Sequence, residues 1–279
     1  MIFEPHLYAV FGDPIAHSRS PEIHRAFAAQ CGQDLMYSKQ QVSADDFVAC
    51  CDEFFELGGS GLNITVPLKE LAYQYANELT PRAKLAGAVN TLKLLDDHKI
   101  LGDNTDGYGL VTDITKNLGW LIADKNILML GAGGAVRGVL GPLLQEEPSL
   151  VVIANRTVAK AEALATAYHD HGMIRAYGYE ELPPLEFDLI INGTSMSLYG
   201  DVPPISGANL NARTRCYDMA YSDELTPFLT WANEQIVAEF SDGLGMLVEQ
   251  AAESFFVWRG VRPQTAEIIQ QLRELQMLE

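Results

Sequence analysis

Two α/β domains are predicted for this chain, and three observations predict them. The chain has 279 residues, and at about 100–200 residues per domain that length favours two domains over one. Strand-like and helix-like patterns alternate from end to end, which points to α/β layers built on largely parallel sheets. A Gly-rich turn, Gly131-Ala132-Gly133-Gly134-Ala135, stands between an apolar strand pattern and a helical one, the setting in which such a turn carries physical meaning.

Leu7 to Phe11 reads as the first strand. Ser20-Pro21-Glu22 follows as an N-cap, an N1 proline and a first-turn acid ahead of a helix over Ile23 to Cys31. Ser43 with Asp46 three residues on reads as the cap of the next helix, whose Phe47, Cys51, Phe54 and Phe55 recur on one core-facing side before Gly58-Gly59 stops it. Leu62 to Val66 is a short strand ended by Pro67. Val89 to Leu95 and Lys99 to Gly102 form a hairpin around Asp96-Asp97, and a long helical pattern then runs from Asp106 to Leu118.

A second unit starts with the apolar run Asn126 to Leu130, continues through the Gly-rich turn into a helical pattern reaching Gln145, and returns as the strand Leu150 to Ala154. In such a βαβ unit Gly131 permits the tight turn, Gly133 lets backbone approach a pyrophosphate, and the helix N-terminus supplies free N–H groups. Alone, the turn fits an ordinary βα connection as well as an anion site, and Val136 stands at the third fingerprint position in place of Gly or Ala. The end of the second strand adds the context. A fold that reads NAD places a carboxylate there for the ribose 2′-hydroxyl, whereas this chain has Asn155-Arg156-Thr157, with Lys160 one turn further. A guanidinium, a hydroxyl and an ammonium suit a 2′-phosphate, so NADP fits better than NAD, although surface charges with no ligand are the ordinary fate of such residues.

Composition excludes several classes. Apolar residues make up 48% and charged residues 20%, the balance of a folded globular protein and not of a disordered one. The formal charge of −18 opposes non-specific binding to nucleic acid or an anionic membrane surface. It also means that an anionic substrate needs a local site rich in Lys, Arg, hydroxyls or helix N-termini. The opening MIFEPH, with Glu4, lacks the basic and apolar regions of an export signal, and no run approaches the roughly 18 apolar residues of a membrane span. The four cysteines include the adjacent Cys50-Cys51 but no CxxC, which reads as reduced core thiols in a cytoplasm. No His, Cys and carboxylate set has convincing metal spacing, and His169 and His171 read as solvated.

Several polar residues of the first unit sit at strand ends, where ligands of α/β sheets bind. Ser18 and Ser20 bracket Arg19 ahead of a helix, a cradle for a carboxylate in which Ser20 also serves as the cap. Asn63 and Thr65 project from one face of a strand just before Lys69, and Asn90 and Asp106 lie at the other strand ends. The blocks His17-Ser18-Arg19-Ser20-Pro21, Asn63-Ile64-Thr65-Val66-Pro67-Leu68-Lys69, Gly87-Ala88-Val89-Asn90-Thr91, Gly102-Asp103-Asn104-Thr105-Asp106-Gly107 and Asp242-Gly243-Leu244-Gly245-Met246-Leu247-Val248-Glu249-Gln250 resemble, in order and over nearly the whole chain, the signature blocks of shikimate dehydrogenases. GAGGA and NRT complete the resemblance. The chain departs from the family pattern at Val136, where many members have Ser, at Gly193, where Ala is common, and at Pro81, where an acidic residue stands near the nicotinamide in others.

The resemblance implies NADP-dependent reduction of 3-dehydroshikimate to shikimate, a step towards aromatic amino acids. It implies a substrate-binding catalytic domain over residues 1–105, completed by C-terminal helices over 243–279, and a Rossmann-like NADP domain over 106–242, flanking a cleft. Carried over by position, Ser18, Ser20 and Tyr221 hold the substrate carboxylate, and Thr65, Asn90 and Gln250 bind ring hydroxyls beside Asn63. Lys69 and Asp106 flank the reacting centre. Gly131, Ala132, Gly133, Gly134, Ala135, Asn155, Arg156, Thr157, Lys160, Met219 and Gly243 face NADP. The chemistry agrees: reducing a ketone takes a hydride, a proton for the developing alkoxide, and positive charge where negative charge grows, and a lysine kept protonated by a nearby carboxylate supplies the last two. No metal is required. The rival readings are a quinate/shikimate dehydrogenase using NAD, against which Arg156 argues, and a non-catalytic sensor of the same fold, against which Lys69 and Asp106 argue. A monomer and a homodimer are both compatible with the sequence.

Overall fold

Strand β1 (His6–Gly12) is buried from Tyr8 onward because it is flanked on both sides, in parallel, by β2 (Leu35–Gln41) and β3 (Gly59–Ile64), and a strand in that position reads as a continuous apolar run. The computed structural model describes residues 6–235 and 237–276. Residues 1–5, on which the reading of the opening segment falls, and 277–279, at the end of the expected C-terminal segment, lie outside the described residues.

Helix α1 (Ser20–Cys31) begins one residue earlier than the cap reading of Ser20 requires. Arg19 takes the cap position, its carbonyl accepting from Glu22 and Ile23, and no side chain caps the helix. Ser20 is therefore helical and buried, with a hydroxyl that the helix end does not use. Similarly, the Ser43–Asp46 pair closes on itself at 2.7 and 3.2 Å in the turn before α2 (Phe47–Glu56) and does not cap it. Phe47 and Cys51 of α2 are fully buried, and Phe54 and Phe55 are partly so, against Phe11, Leu62 and Ile64.

The chain continues through α3 (Lys69–Tyr75), the short β4 (Glu78–Leu79), α4 (Pro81–Ala86), β5 (Thr91–Leu94) and β6 (Ile100–Asp103). Pro81 occupies the first turn of α4 behind a Thr80 cap whose side chain accepts from the Ala83 N–H, where a proline costs no hydrogen bond. The sheet order is β2-β1-β3-β5-β6-β4. This sheet is mixed, not largely parallel, because the β5–β6 hairpin pairs antiparallel with β3 and with itself.

Helix α5 (Asp106–Thr112) passes into a π turn over Asp113–Asn117, so the helical pattern expected to Leu118 is α and then π. The buried Asp113 carboxylate accepts from Tyr217 Oη at 2.7 Å and from Asn117 at 2.9 Å. The second sheet is built from β7 (Asn126–Leu130), β8 (Leu150–Ala154), β9 (Ile174–Tyr177), β10 (Leu189–Asn192), β11 (Arg215–Asp218) and β12 (Glu239–Ser241), with α6 (Gly134–Gln145), α7 (Val158–Ala167) and α8 (Pro227–Asn233) between strands. All its pairs are parallel, in the order β12-β11-β10-β7-β8-β9. This is the doubly wound order of dinucleotide folds, with the switch point between β7 and β10.

Helices α9 (Leu244–Arg259) and α10 (Ala266–Gln276) close the chain. The chain divides into two compact units, one running to Gly109 and taking in Val248–Ile268, the other comprising Leu110–Leu247 and the tail from Ile269. Of the described residues from 243 onward, Val248–Ile268 fall in the first unit and the rest in the second. The end of α10 is tied within the second unit by Arg273 to Asp242 at 2.5 Å and by Gln276 to the Ser222 carbonyl at 3.0 Å. All four cysteines are free thiols, and burial pushes Cys51 and Cys216 up to about 12. Among the described residues no helix is long and apolar enough to cross a membrane.

Candidate active site

In the first unit the strand ends gather most of the predicted substrate-side residues. Lys69 is the first residue of α3, placed there by a turn in which the Leu68 N–H reaches the Thr65 carbonyl at 2.9 Å. Its Nζ lies 2.6 Å from Asp106 Oδ2, and both side chains are largely buried. Asp106 opens α5, and its other oxygen, Oδ1, accepts from Asn90 Nδ2 at 2.8 Å. Asn90 Nδ2 also reaches Thr105 Oγ1 at 2.8 Å and Gln250 Oε1 at 3.4 Å, while Asn90 Oδ1 accepts from the Thr105 N–H and the Thr91 hydroxyl. Each oxygen of Asp106 therefore has a fixed partner, and a carboxylate so held keeps the lysine ammonium in one place.

Asn63 is similarly committed. Its Nδ2 faces Ser254 Oγ at 3.0 Å and the Asn90 carbonyl and Thr91 Oγ1 at 3.2 Å, and its Oδ1 accepts from Tyr37 at 2.7 Å. Ser18 accepts from the Ser20 N–H at 3.3 Å. Thr65 donates its N–H to the Phe11 carbonyl, extending the pairing of β1 with the chain past β3. Gln250 enters from α9, one turn before Ser254.

The loop that carries Asp106 is braced by groups the motif reading did not single out. Arg82 grips Asp103 with two bonds of 2.6 and 2.7 Å and reaches Glu253 at 2.9 Å. Burial works against the Asp103 charge, but Arg82 and the Thr80 hydroxyl hold its carboxyl below the usual range. The signal for Asp103 was its place in a quoted block; Arg82 and Glu253 left none, since their pairing joins residues far apart in sequence.

In the second unit Gly131 follows β7 with φ +102, a left-handed backbone that a side chain rarely adopts. A Cβ on Gly133 or Gly134 would meet nothing within 4 Å, so the mouth of the turn is open where the N–H groups at the start of α6 lack partners within the helix. These residues fit a pyrophosphate. Asn155 folds onto the Thr157 carbonyl at 2.8 Å, shaping the loop after β8, and Arg156, Thr157 and Lys160 present exposed side chains. Met219 and Gly243, distant in sequence, are adjacent here: a Cβ on Gly243 would fall 2.3 Å from the Met219 carbonyl oxygen. Tyr221 lies in the same unit, half-buried, just past β11.

Two departures from the family pattern explain one another. A Cβ on Gly193 would lie 2.5 Å from Val136 Cγ2, so the methyl of Val136 fills the space that an alanine at 193 would take. Behind this loop the buried Asp218 carboxylate accepts from Ser197, Thr226, Asn192 and the Ala220 N–H. Burial raises its carboxyl above the usual range against the pull of those donors. It ties together the segments on either side of Met219.

A family model described as the shikimate dehydrogenase substrate binding domain matches residues 10–92, one described as shikimate / quinate 5-dehydrogenase matches 113–199, and one described as the shikimate 5'-dehydrogenase C-terminal domain matches 243–273. The chain is 57% identical over 267 residues to a shikimate dehydrogenase (NADP(+)) of Cellvibrio japonicus, with 96% of each chain covered. It is 53% identical to the protein of that name in Methylococcus capsulatus, again with 96% of each covered. Among solved structures, a shikimate 5-dehydrogenase of Thermus thermophilus in complex with NADP(H) and shikimate aligns with a TM-score of 0.84 at 28% identity, covering 96% of this chain and 99% of the other. An Ael1 enzyme from Pseudomonas putida aligns with a TM-score of 0.88 at 47% identity, covering 96% and 98%.

Proposed function

The chain belongs to the shikimate dehydrogenase family, and from that premise we propose that Lys69, held by Asp106, handles the proton while 3-dehydroshikimate is reduced to shikimate. The enzyme is an NADP-dependent oxidoreductase. The observation that carries the assignment of roles is the 2.6 Å pair of Lys69 Nζ and Asp106 Oδ2, with Asp106 Oδ1 anchored on Asn90.

The reaction's hydride is supplied by the reduced nicotinamide when bound. Lys69 gives its proton to the carbonyl oxygen as that oxygen gains negative charge, and its positive charge stabilises the same oxygen before the proton moves. Asp106, 2.6 Å from Nζ, keeps the ammonium aimed at that point. Ser18, Ser20 and Tyr221 take the substrate carboxylate, in keeping with a chain whose overall charge of −18 demands a local site for an anion. Thr65, Asn90 and Gln250 take ring hydroxyls. Because both protons of the Asn90 amide lie on Thr105 and Asp106 and its Oδ1 already accepts from the Thr105 N–H and the Thr91 hydroxyl, a hydroxyl bound there displaces one of those partners.

On the cofactor side Gly131 to Ala135 would hold the pyrophosphate, and Arg156, Thr157 and Lys160 the 2′-phosphate, with Asn155, Met219 and Gly243 completing the site. The first unit, to Gly109 with Val248–Ile268, serves the substrate, and the second serves NADP. The acidic charge and reduced thiols support a cytoplasmic enzyme without nucleic-acid partners, acting as a monomer or homodimer.

One assay tests the reading. Absorbance of the reduced nicotinamide is followed with shikimate and quinate, each against NADP and NAD. Shikimate with NADP is expected to be the fastest pair by at least tenfold; faster turnover of quinate with NAD would move the chain to the quinate-using branch.

A further inference from the structure

Helix α5 does not end as an α-helix. Over Asp113–Asn117 it widens into a π turn, a rare form that is frequent at functional sites, and Asp113 is buried at its start. Burial raises the Asp113 carboxyl above its usual range, so the charge is kept there against a cost. Both of its oxygens are engaged: Oδ2 accepts from Tyr217 Oη at 2.7 Å and Oδ1 from Asn117 Nδ2 at 2.9 Å. The Tyr217 ring is fully buried and stands edge-on to Trp120, centroids 6.4 Å apart, packing that phenylalanine would provide as well. What the carboxylate holds is the hydroxyl.

A third element meets the same carboxylate. A Cβ on Gly245 would lie 1.9 Å from Asp113 Oδ1 and 2.5 Å from Oδ2, so the first turn of α9 rests flat on the carboxylate, an approach that only glycine permits. Both partners lie next to cofactor residues. Tyr217 stands two positions before Met219, and side chains two apart on an extended chain share a face; the Met219 N–H continues that strand by donating to the Asn192 carbonyl at 2.9 Å. Gly245 stands two positions after Gly243, which is pressed against the Met219 carbonyl and donates its N–H to the Ala220 carbonyl at 2.9 Å. One carboxylate thus sets β11 and the start of α9 against each other.

We propose that Asp113 is a positioning residue for the cofactor, holding Tyr217 of β11 and the glycine turn of α9 against the π turn and so fixing Met219 and Gly243 where they meet NADP. The proposal rests on the reading of Met219 and Gly243 as cofactor residues.

Tyr217→Phe removes one oxygen and keeps the ring and its packing. The NADPH dissociation constant, read from the cofactor's fluorescence on binding, should rise about 5- to 30-fold, part of what a hydrogen bond to a charged group is worth, with the KM for shikimate within about twofold. Gly245→Ala, which drives a methyl into the carboxylate, should raise the constant at least as far, but should add less than about twofold in an Asp113→Ala chain, where the obstruction is gone. Asp113→Asn, which keeps the shape and still accepts from Tyr217, should lose much less NADPH affinity than Asp113→Ala. A lowered Tm with NADPH affinity intact in Tyr217→Phe and Gly245→Ala would make Asp113 a purely structural part and overturn the proposal, as would equal losses of cofactor and shikimate affinity. Met219→Ala separates the premise. If it weakens NADPH and Tyr217→Phe does not, the cofactor reading stands and the proposal falls; if Met219→Ala leaves NADPH binding unchanged, the two fall together.

Discussion

The two functional regions are built in opposite ways. Around Lys69 the buried side chains are held by partners: Asp106 by lysine and amide, Asn90 by two threonines, Asn63 by a tyrosine and a serine. Around the Gly-rich turn the backbone is left open, with no atom near the positions where side chains would stand on Gly133 and Gly134, and with Arg156, Thr157 and Lys160 exposed. A proton must be delivered at one point, so its donor is fixed in advance by the protein. A phosphate brings its own charge and acceptors, so its site is a set of donors waiting for them. The difference predicts that changes on the lysine side act on kcat, and changes on the phosphate side on binding.

The largest expected effect follows from that split. Lys69→Ala should lower kcat by roughly 10²–10⁴, the usual worth of a positioned general acid, with smaller changes in substrate and NADP affinity. Steady-state constants on a variant shown by circular dichroism to be folded check it; a raised KM with kcat nearly intact would make Lys69 a ground-state contact only.

Arg156→Asp comes next. Replacing a charge-assisted contact by a like-charge one should weaken NADP by roughly 10²-fold while changing NAD little, measured as the ratio of the two kcat/KM values. An unchanged ratio would show that the 2′-phosphate is read elsewhere.

The smallest effect concerns packing beneath the turn. Gly193→Ala should destabilise by about 1–3 kcal/mol by overpacking against Val136, and Val136→Ala in the same chain should recover most of it. Thermal unfolding of the three variants decides: additive losses would mean the two positions are independent.

Legibility in the sequence followed the range of the interactions. The β7–α6–β8 unit was readable because strand, glycine turn and helix are contiguous and each carries its own period. β2 was not singled out, since LMYSKQQ buries one side chain and shows no apolar alternation. The cap assigned to Ser20 was off by one residue because Arg19 keeps a helical backbone in the preceding turn. Lys69 and Asp106 were legible as motif residues, but their supports were not: Arg82 with Asp103 and Glu253, Tyr37 with Asn63, and Asp218 with Ser197 and Thr226 are joined only by the fold. The same holds for Val136 and Gly193, each an unexplained departure until the structure sets one against the other.

The central claim is that Lys69 carries the proton, and the pH profile of shikimate oxidation tests it most directly. In that direction Lys69 must give up its proton before it can accept one from the substrate hydroxyl, so kcat of the natural enzyme should rise with pH until the lysine is neutral. The residual activity of Lys69→Ala should lack that rising limb. If the limb persists unchanged in the variant, the proton is handled by another group, and the account given for Lys69 and Asp106 is contradicted.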